Sequence, residues 1–143
     1  VKFHDGADFT AEDVKFSLDR ARAENSTNAQ KQLFTNIDSV NVIDDHTVEI
    51  ILGARDGNLL FNLAWGDAII LDEASVDDTA IKPVGTGPFT FANWVQGDKI
   101  ELAKNPDYWG EPAKLDTVVF KFISDPTAAF AATMSGDVDA FPV

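Results

Sequence analysis

A mixed α/β fold is predicted, and three stretches of the sequence predict it. Residues 11 to 23 place Ala11, Val14, Leu18 and Ala21 on one helical stripe. Residues 89 to 102 alternate apolar and polar side chains on either side of Gln96-Gly97-Asp98, the period-2 pattern of a β-hairpin. Thr117 to Ile123 is a dense β-rich run, and Asp125-Pro126 after it is a favoured helix start. Helix and strand signals alternate along 143 residues with no repeat, low-complexity segment or linker, so one α/β unit with a real core is expected.

Taken in order, Val1-Lys2-Phe3 reads as the end of a strand and His4 to Asp8 as a turn. Thr10 stands at the N-cap of the first helix with Asp13 three residues on, a weak capping box, and Glu12 and Asp13 suit the positive end of the helix dipole. Phe16 lies off the apolar stripe and is free to cover a second contact. Asn25-Ser26-Thr27-Asn28 ends the helix through local side-chain hydrogen bonding. Residues 29 to 35 form a short helix carrying Leu33 and Phe34. Ile37 to Ile43 and Thr47 to Leu52 are two β-rich runs about Asp44-Asp45-His46, a second hairpin. His46 has no second imidazole or carboxylate at ligand spacing and reads as a turn residue.

Asn58 can cap a helix through Leu59, Leu60, Leu63 and Ala64; Trp65-Gly66-Asp67 ends it, and Ala68 to Leu71 is expected as a short buried strand. Residues 72 to 82 are polar and irregular. Pro83-Val84-Gly85-Thr86-Gly87-Pro88-Phe89 holds two glycines and two prolines in seven residues, which excludes a helix interior or a central strand. Gly85, Gly87 and Pro88 are assigned to a shaped turn, with Gly85 or Gly87 expected in a backbone conformation closed to other residues. No Lys-Ser/Thr follows, so it is not a phosphate-cradling loop. Asn105 to Gly110 is a turn carrying Tyr108 and Trp109, read as a plug on the edge of a core. The last helix, 126 to 135, should pack on the sheet and stop at Gly136, and Val138 to Phe141 should begin another strand.

The net charge is −13, from 24 acids against 11 bases, and the acids are scattered rather than blocked. Such a field repels nucleic acid and anionic membrane surfaces, so neither is expected as a partner. With no cysteine there is no disulfide, zinc-thiolate site or thiol nucleophile. No metal pair, nucleophile elbow or calcium loop is present, and the paired acids at Asp44-Asp45 and Asp77-Asp78 fall in polar, turn-like sequence. No catalytic residue, metal site or cofactor is assigned. Both ends stop in sequence that reads as structured, so a piece of a longer protein is expected.

Four motifs in register go further: Phe3-His4-Asp5-Gly6 with Phe9 to Val14; the Gly85-to-Phe89 string; Asn105-Pro106-Asp107-Tyr108-Trp109; and Ser135-Gly136-Asp137-Val138-Asp139. In this order and spacing the chain resembles, over essentially its whole length, the family-5 extracellular solute-binding proteins of ABC importers for peptides, dipeptides and nickel. The resemblance implies part of the N-terminal lobe of a type II two-lobe periplasmic-binding-protein-like fold, which closes on its solute by a hinge motion. It implies one partial lobe over 1–143, divided into a small subdomain, 4–82, and main-lobe strands and helix, 83–143 plus 1–3. It implies a peptide-like or other small solute, a membrane permease as partner, and a periplasmic or cell-surface lipoprotein setting. Trp65, Gly66 and Asp67 are the ligand-binding candidates it suggests; for Trp65 the competing reading is core packing. Self-association is one way to cover apolar surface that a second lobe would otherwise cover. The rival reading is a free-standing structural or interaction domain with no small-molecule ligand. A leader and neighbouring permease genes around the parent gene would separate the two.

Overall fold

Thr10 opens the first helix as the capping pattern requires: its backbone N–H and its hydroxyl both donate to the Asp13 carboxylate, at 2.7 and 3.0 Å. The computed structural model describes residues 1–141. Helix α1 runs Ala11–Arg22, and its apolar stripe turns inward, with Leu18 2% exposed and Val14 and Ala21 packed beside it. A 3-10 turn at Lys31–Phe34 delivers Phe34, fully buried, to the same place.

Strands β1 (Ile37–Asp44) and β2 (Thr47–Leu52) pair antiparallel about the predicted turn, in which Asp44 Oδ1 accepts the His46 N–H at 2.8 Å. Every third residue at the start of β1, Ile37 and Val40, is buried, because a register shift between Ile37 and Ser39 breaks the strict alternation. Leu18, Phe34, Ile37 and Val40 form one core, flanked by Val48, Ile50, Leu52, Leu59, Leu63 and Ala68. Each such side chain taken out of water contributes about 1.5–3 kcal/mol. Short helix α2 (Leu59–Asn62) and a 3-10 turn at Glu73–Asp78 complete this region.

Strands β3 (Phe89–Val95), β4 (Lys99–Lys104) and β5 (Thr117–Lys121) form an antiparallel sheet in the order β3-β4-β5. Gly97, at φ +76°, makes the β3–β4 turn, a conformation that side chains with a Cβ rarely adopt. Helix α3 (Pro126–Ser135) starts under Asp125, whose Oδ1 accepts the Ala128 N–H at 2.7 Å, and stops at Gly136 in the left-handed conformation, φ +82°.

The chain divides into two compact units, Val1–Thr86 and Gly87 onward. The first holds α1, the β1–β2 hairpin and α2; the second holds β3–β5 and α3. The boundary falls inside the Gly85-to-Pro88 string.

Five expectations are corrected. Ala68 to Leu71 is not a strand; its backbone instead serves side chains of the first unit, as described below. Val138 to Phe141 forms no strand either, because a strand needs a neighbour and these residues find none among the described residues. Val1 to Phe3 contributes only an isolated bridge, Lys2 with Asp8. Neither Gly85 nor Gly87 has a positive φ; the left-handed glycines are Gly6, Gly97 and Gly136. Helix α3 makes little close contact with the sheet among the described residues. Its apolar residues are spread around the helix rather than gathered in a stripe, leaving Phe130 and Met134 exposed while Ala129 is buried. Its C-terminal end is tied to β5 by Lys121 Nζ donating to the Asp137 carbonyl at 2.8 Å.

Candidate functional site

The Gly85-to-Pro88 string is shaped by what grips it rather than by left-handed glycines. In the first unit the His4 N–H donates to the Gly85 carbonyl at 2.8 Å, and the Gly85 N–H donates back to His4 Nδ1 at 3.2 Å. This reciprocal pair closes the unit, joining residues 81 apart in sequence. It also fixes the neutral imidazole as the tautomer with its proton on Nε2. A Cβ on Gly85 would meet His4 Cε1 at 3.6 Å, an ordinary contact. In the second unit, Asn105 Nδ2 donates to the Gly87 carbonyl at 3.0 Å and the Asn105 N–H donates to the Pro88 carbonyl at 2.9 Å. Asn105 is buried, and its Oδ1 accepts the Asp107 N–H at 3.0 Å. Thus His4 and Asn105, from two of the four motifs, hold the third.

Trp65-Gly66-Asp67 lies in the turn after α2. Trp65 is 45% exposed, so it is not a core residue; the edge of Phe61 meets its ring with centroids 6.1 Å apart and planes at 77°. Leu60 and Phe61 of α2 are exposed as well. Gly66 has open space where a Cβ would stand. Asp67 is half-buried, and its carbonyl accepts Asn28 Nδ2 at 2.8 Å. Four residues on, the segment turns back over α1: Ser17 Oγ, buried, accepts the Leu71 N–H at 2.8 Å and donates to the Leu71 carbonyl. Sequence reasoning missed both Ser17 and Asn28, although an Asn in a helix-ending cluster and a Ser on the buried face of a helix are each a signal for such a latch.

The latch encloses a cleft of about 130 Å³ between the end of α1, residues 26–28 and residues 67–71. A larger, shallower depression of about 380 Å³ lies on the outer side of α1, lined by Glu12, Lys15, Phe16, Asp19, Arg20 and Glu73, and is where Phe16 finds its contact. There Lys15 and Arg22 both hold Asp19, the latter at 2.7 Å. Partial burial opposes the charge on Asp19, but the hydrogen bonds from Lys15 and Arg22 outweigh it and keep its carboxyl below the usual carboxylate range. Asp72 caps the following 3-10 turn; one of its carboxylate oxygens is buried with no hydrogen-bond partner among the described residues. In the second unit the Tyr108 and Trp109 rings meet at a tilt, with centroids 5.3 Å apart and planes at 52°; Tyr108 is half-buried, but Trp109 is 63% exposed and so is not the expected plug. No cluster of three or more potential metal ligands occurs among the described residues. No helix among them is long and apolar enough to cross a membrane.

A family model, bacterial extracellular solute-binding proteins, family 5, matches residues 1–143. The oligopeptide-binding protein AppA of Bacillus subtilis is 34% identical over all of this chain and 28% of its own length. The glutathione-binding protein GsiB of Pectobacterium atrosepticum is 35% identical over all of this chain and 29% of its length. Among solved structures, NikZ from Campylobacter jejuni in complex with Ni(L-His) superposes with a TM-score of 0.89 at 28% identity, covering 96% of this chain and 29% of that one. The chain therefore spans less than a third of the length of these relatives.

Proposed function

The chain belongs to the bacterial extracellular solute-binding proteins of family 5, and from that premise we propose that it is part of the capture component of an ABC importer and not an enzyme. In this reading the whole protein takes a peptide-like solute between two lobes outside the membrane, in the periplasm or as a cell-surface lipoprotein, and hands it to a membrane permease. Residues 4–82 act as a small subdomain, and 83–143 with 1–3 belong to the main lobe. Trp65, Gly66 and Asp67 contribute to the solute-facing surface.

The observation that carries the reading is the match of the whole chain to the family model, supported by named relatives that bind an oligopeptide and glutathione. The exposed Trp65, backed edge-on by Phe61, supports the third element. An aromatic face held by a neighbour and open to solvent is suited to stacking on a solute.

Affinity then depends on a second lobe. Ligand pockets bury about 70–90% of a ligand's surface, and one lobe supplies roughly half of those contacts. Halving a micromolar interaction of about 8 kcal/mol leaves about 4 kcal/mol, which is millimolar. Calorimetric titration with a peptide library tests this: the full-length parent protein should bind one or more peptides at micromolar or tighter affinity, and the 143-residue chain no tighter than millimolar. Micromolar binding by the chain alone would show a complete site on its own surface. No binding by the full-length protein would favour a structural or interaction domain.

A further inference from the structure

We propose that the cleft between α1 and residues 67–71 is a binding site for a single free amino acid or a comparably small zwitterion. Its volume, about 130 Å³, is below the roughly 300–1,000 Å³ of pockets that take drug-sized ligands, and it is far too small for a peptide. It suits one small amino acid. Arg20, exposed and shared with the depression on the outer side of α1, and the half-buried Asp67 both line it. Among the described residues neither has an ion-pair partner, although α1 pairs its other charges readily: Lys15 and Arg22 both go to Asp19. A cation and an anion on one cleft, not joined to each other, form the complement of a molecule carrying a carboxylate at one end and an ammonium at the other. The planar guanidinium of Arg20 offers paired donors to a carboxylate, and the Asp67 carboxylate accepts from an ammonium. Thr27 also lines it, and Ala21 and Ile69 add apolar surface for a small side chain.

The frame is built and does not depend on the ligand. The bonds from Ser17 to Leu71 and from Asn28 to Asp67 hold the two walls at their spacing. All the lining residues fall between Ser17 and Leu71, inside the first unit, so the site needs no second lobe. It shares Asp67 with the solute-facing surface proposed above, but that reading is tested on the full-length protein with peptides and this one on the 143-residue chain with alanine.

The test is a nitrogen-15 amide-shift titration of the 143-residue chain with alanine, and in parallel with acetate and with methylammonium. Alanine should give saturable shifts at Ser26, Thr27, Asn28, Asp67 and Ile69 in the millimolar range, as befits a ligand of so few atoms. Acetate and methylammonium, each able to use only one end, should bind about tenfold more weakly or not at all. Arg20→Met and Asp67→Asn should each weaken alanine about tenfold while leaving amide shifts of β3–β5 unchanged. Should either variant fail to fold, the three-ligand comparison on the unaltered chain decides alone. Equal binding of alanine and acetate, an absence of saturable shifts at these residues, or variants that bind like the parent would overturn the proposal.

Discussion

The two units treat their apolar side chains in opposite ways. In residues 1–86 an amphipathic helix, a hairpin and two short turns converge on Leu18, Phe34, Ile37 and Val40, and all four are at most 4% exposed. From Gly87 onward the sequence is as rich in β-formers and aromatics, yet only Asn105 and Ala129 are buried among the described residues. Val119, Phe120, Phe122, Phe130 and Met134 all face solvent. The difference teaches that strand and helix propensity and a buried core are separate properties of a sequence. Pairing of β3, β4 and β5 satisfies the backbone, but a single antiparallel sheet buries a face only when something is laid on it, and α3 makes little close contact with it among the described residues. In the proposed reading the cover comes from the remainder of a much longer protein.

The sharpest way to break this contrast is to truncate one aromatic in each unit. Phe34→Ala should destabilise the chain by about 3–5 kcal/mol, since it empties a fully enclosed site. Phe120→Ala, at a residue 56% exposed, should cost less than about 1 kcal/mol. Urea denaturation of both variants measures the pair; similar losses would mean that the second unit has a core of comparable quality.

Next in size is Ser17→Ala, which leaves the Leu71 N–H without its acceptor on the wall of the cleft. A buried donor left unsatisfied costs about 1–3 kcal/mol, and a thermal melt should register the drop. If the melt does not move, residues 67–71 are not latched to α1 as described.

The glycines sharpen the comparison at a smaller scale. Gly136→Ala forces a Cβ into the left-handed region at the end of α3 and should cost about 1 kcal/mol. Gly85→Ala meets only His4 Cε1 at an ordinary distance with no positive φ, and should change stability by less than about 0.5 kcal/mol. The reverse order would restore a strained turn at Gly85.

The smallest effect is electrostatic. Because the Asp19 carboxyl is held below its ordinary value in the folded state, its contribution is present above pH 3.8 and is lost as pH falls through the lower folded value. The pair is partly exposed, so that contribution should be at most about 1 kcal/mol. Stability followed from pH 6 downward should fall slightly less in Asp19→Asn than in the parent chain; an identical profile would show that the pairing adds nothing measurable.

Most of the local structure was legible in the sequence because its signals are local. The Thr10–Asp13 cap, the Gln96-Gly97-Asp98 turn and the Asp125-Pro126 start each act within four residues, and the structure has all three. What was not legible depends on distant partners. Ala68 to Leu71 is apolar enough for a strand, but Ser17 takes the backbone groups of Leu71 and Asn28 holds the Asp67 carbonyl just before the segment, through bonds that span 54 and 39 residues. Gly85 and Gly87 looked strained because glycine and proline crowd together there. Contacts from His4 and Asn105, invisible in the string itself, shape the turn without strain. Trp65 could be named as a candidate from the family resemblance, whereas Arg20 could not, because an arginine late in a helix, like Arg22 beside it, reads as a favourable charge on the dipole.

Amide hydrogen exchange on the 143-residue chain tests the contrast between the units most directly. Helix α1 and strands β1 and β2 should exchange only through global unfolding, while β5 and α3, whose apolar faces are open, should exchange through local opening at least about tenfold faster. Protection of β5 equal to that of β1 would contradict it, because it would show that the second unit is stabilised as fully as the first.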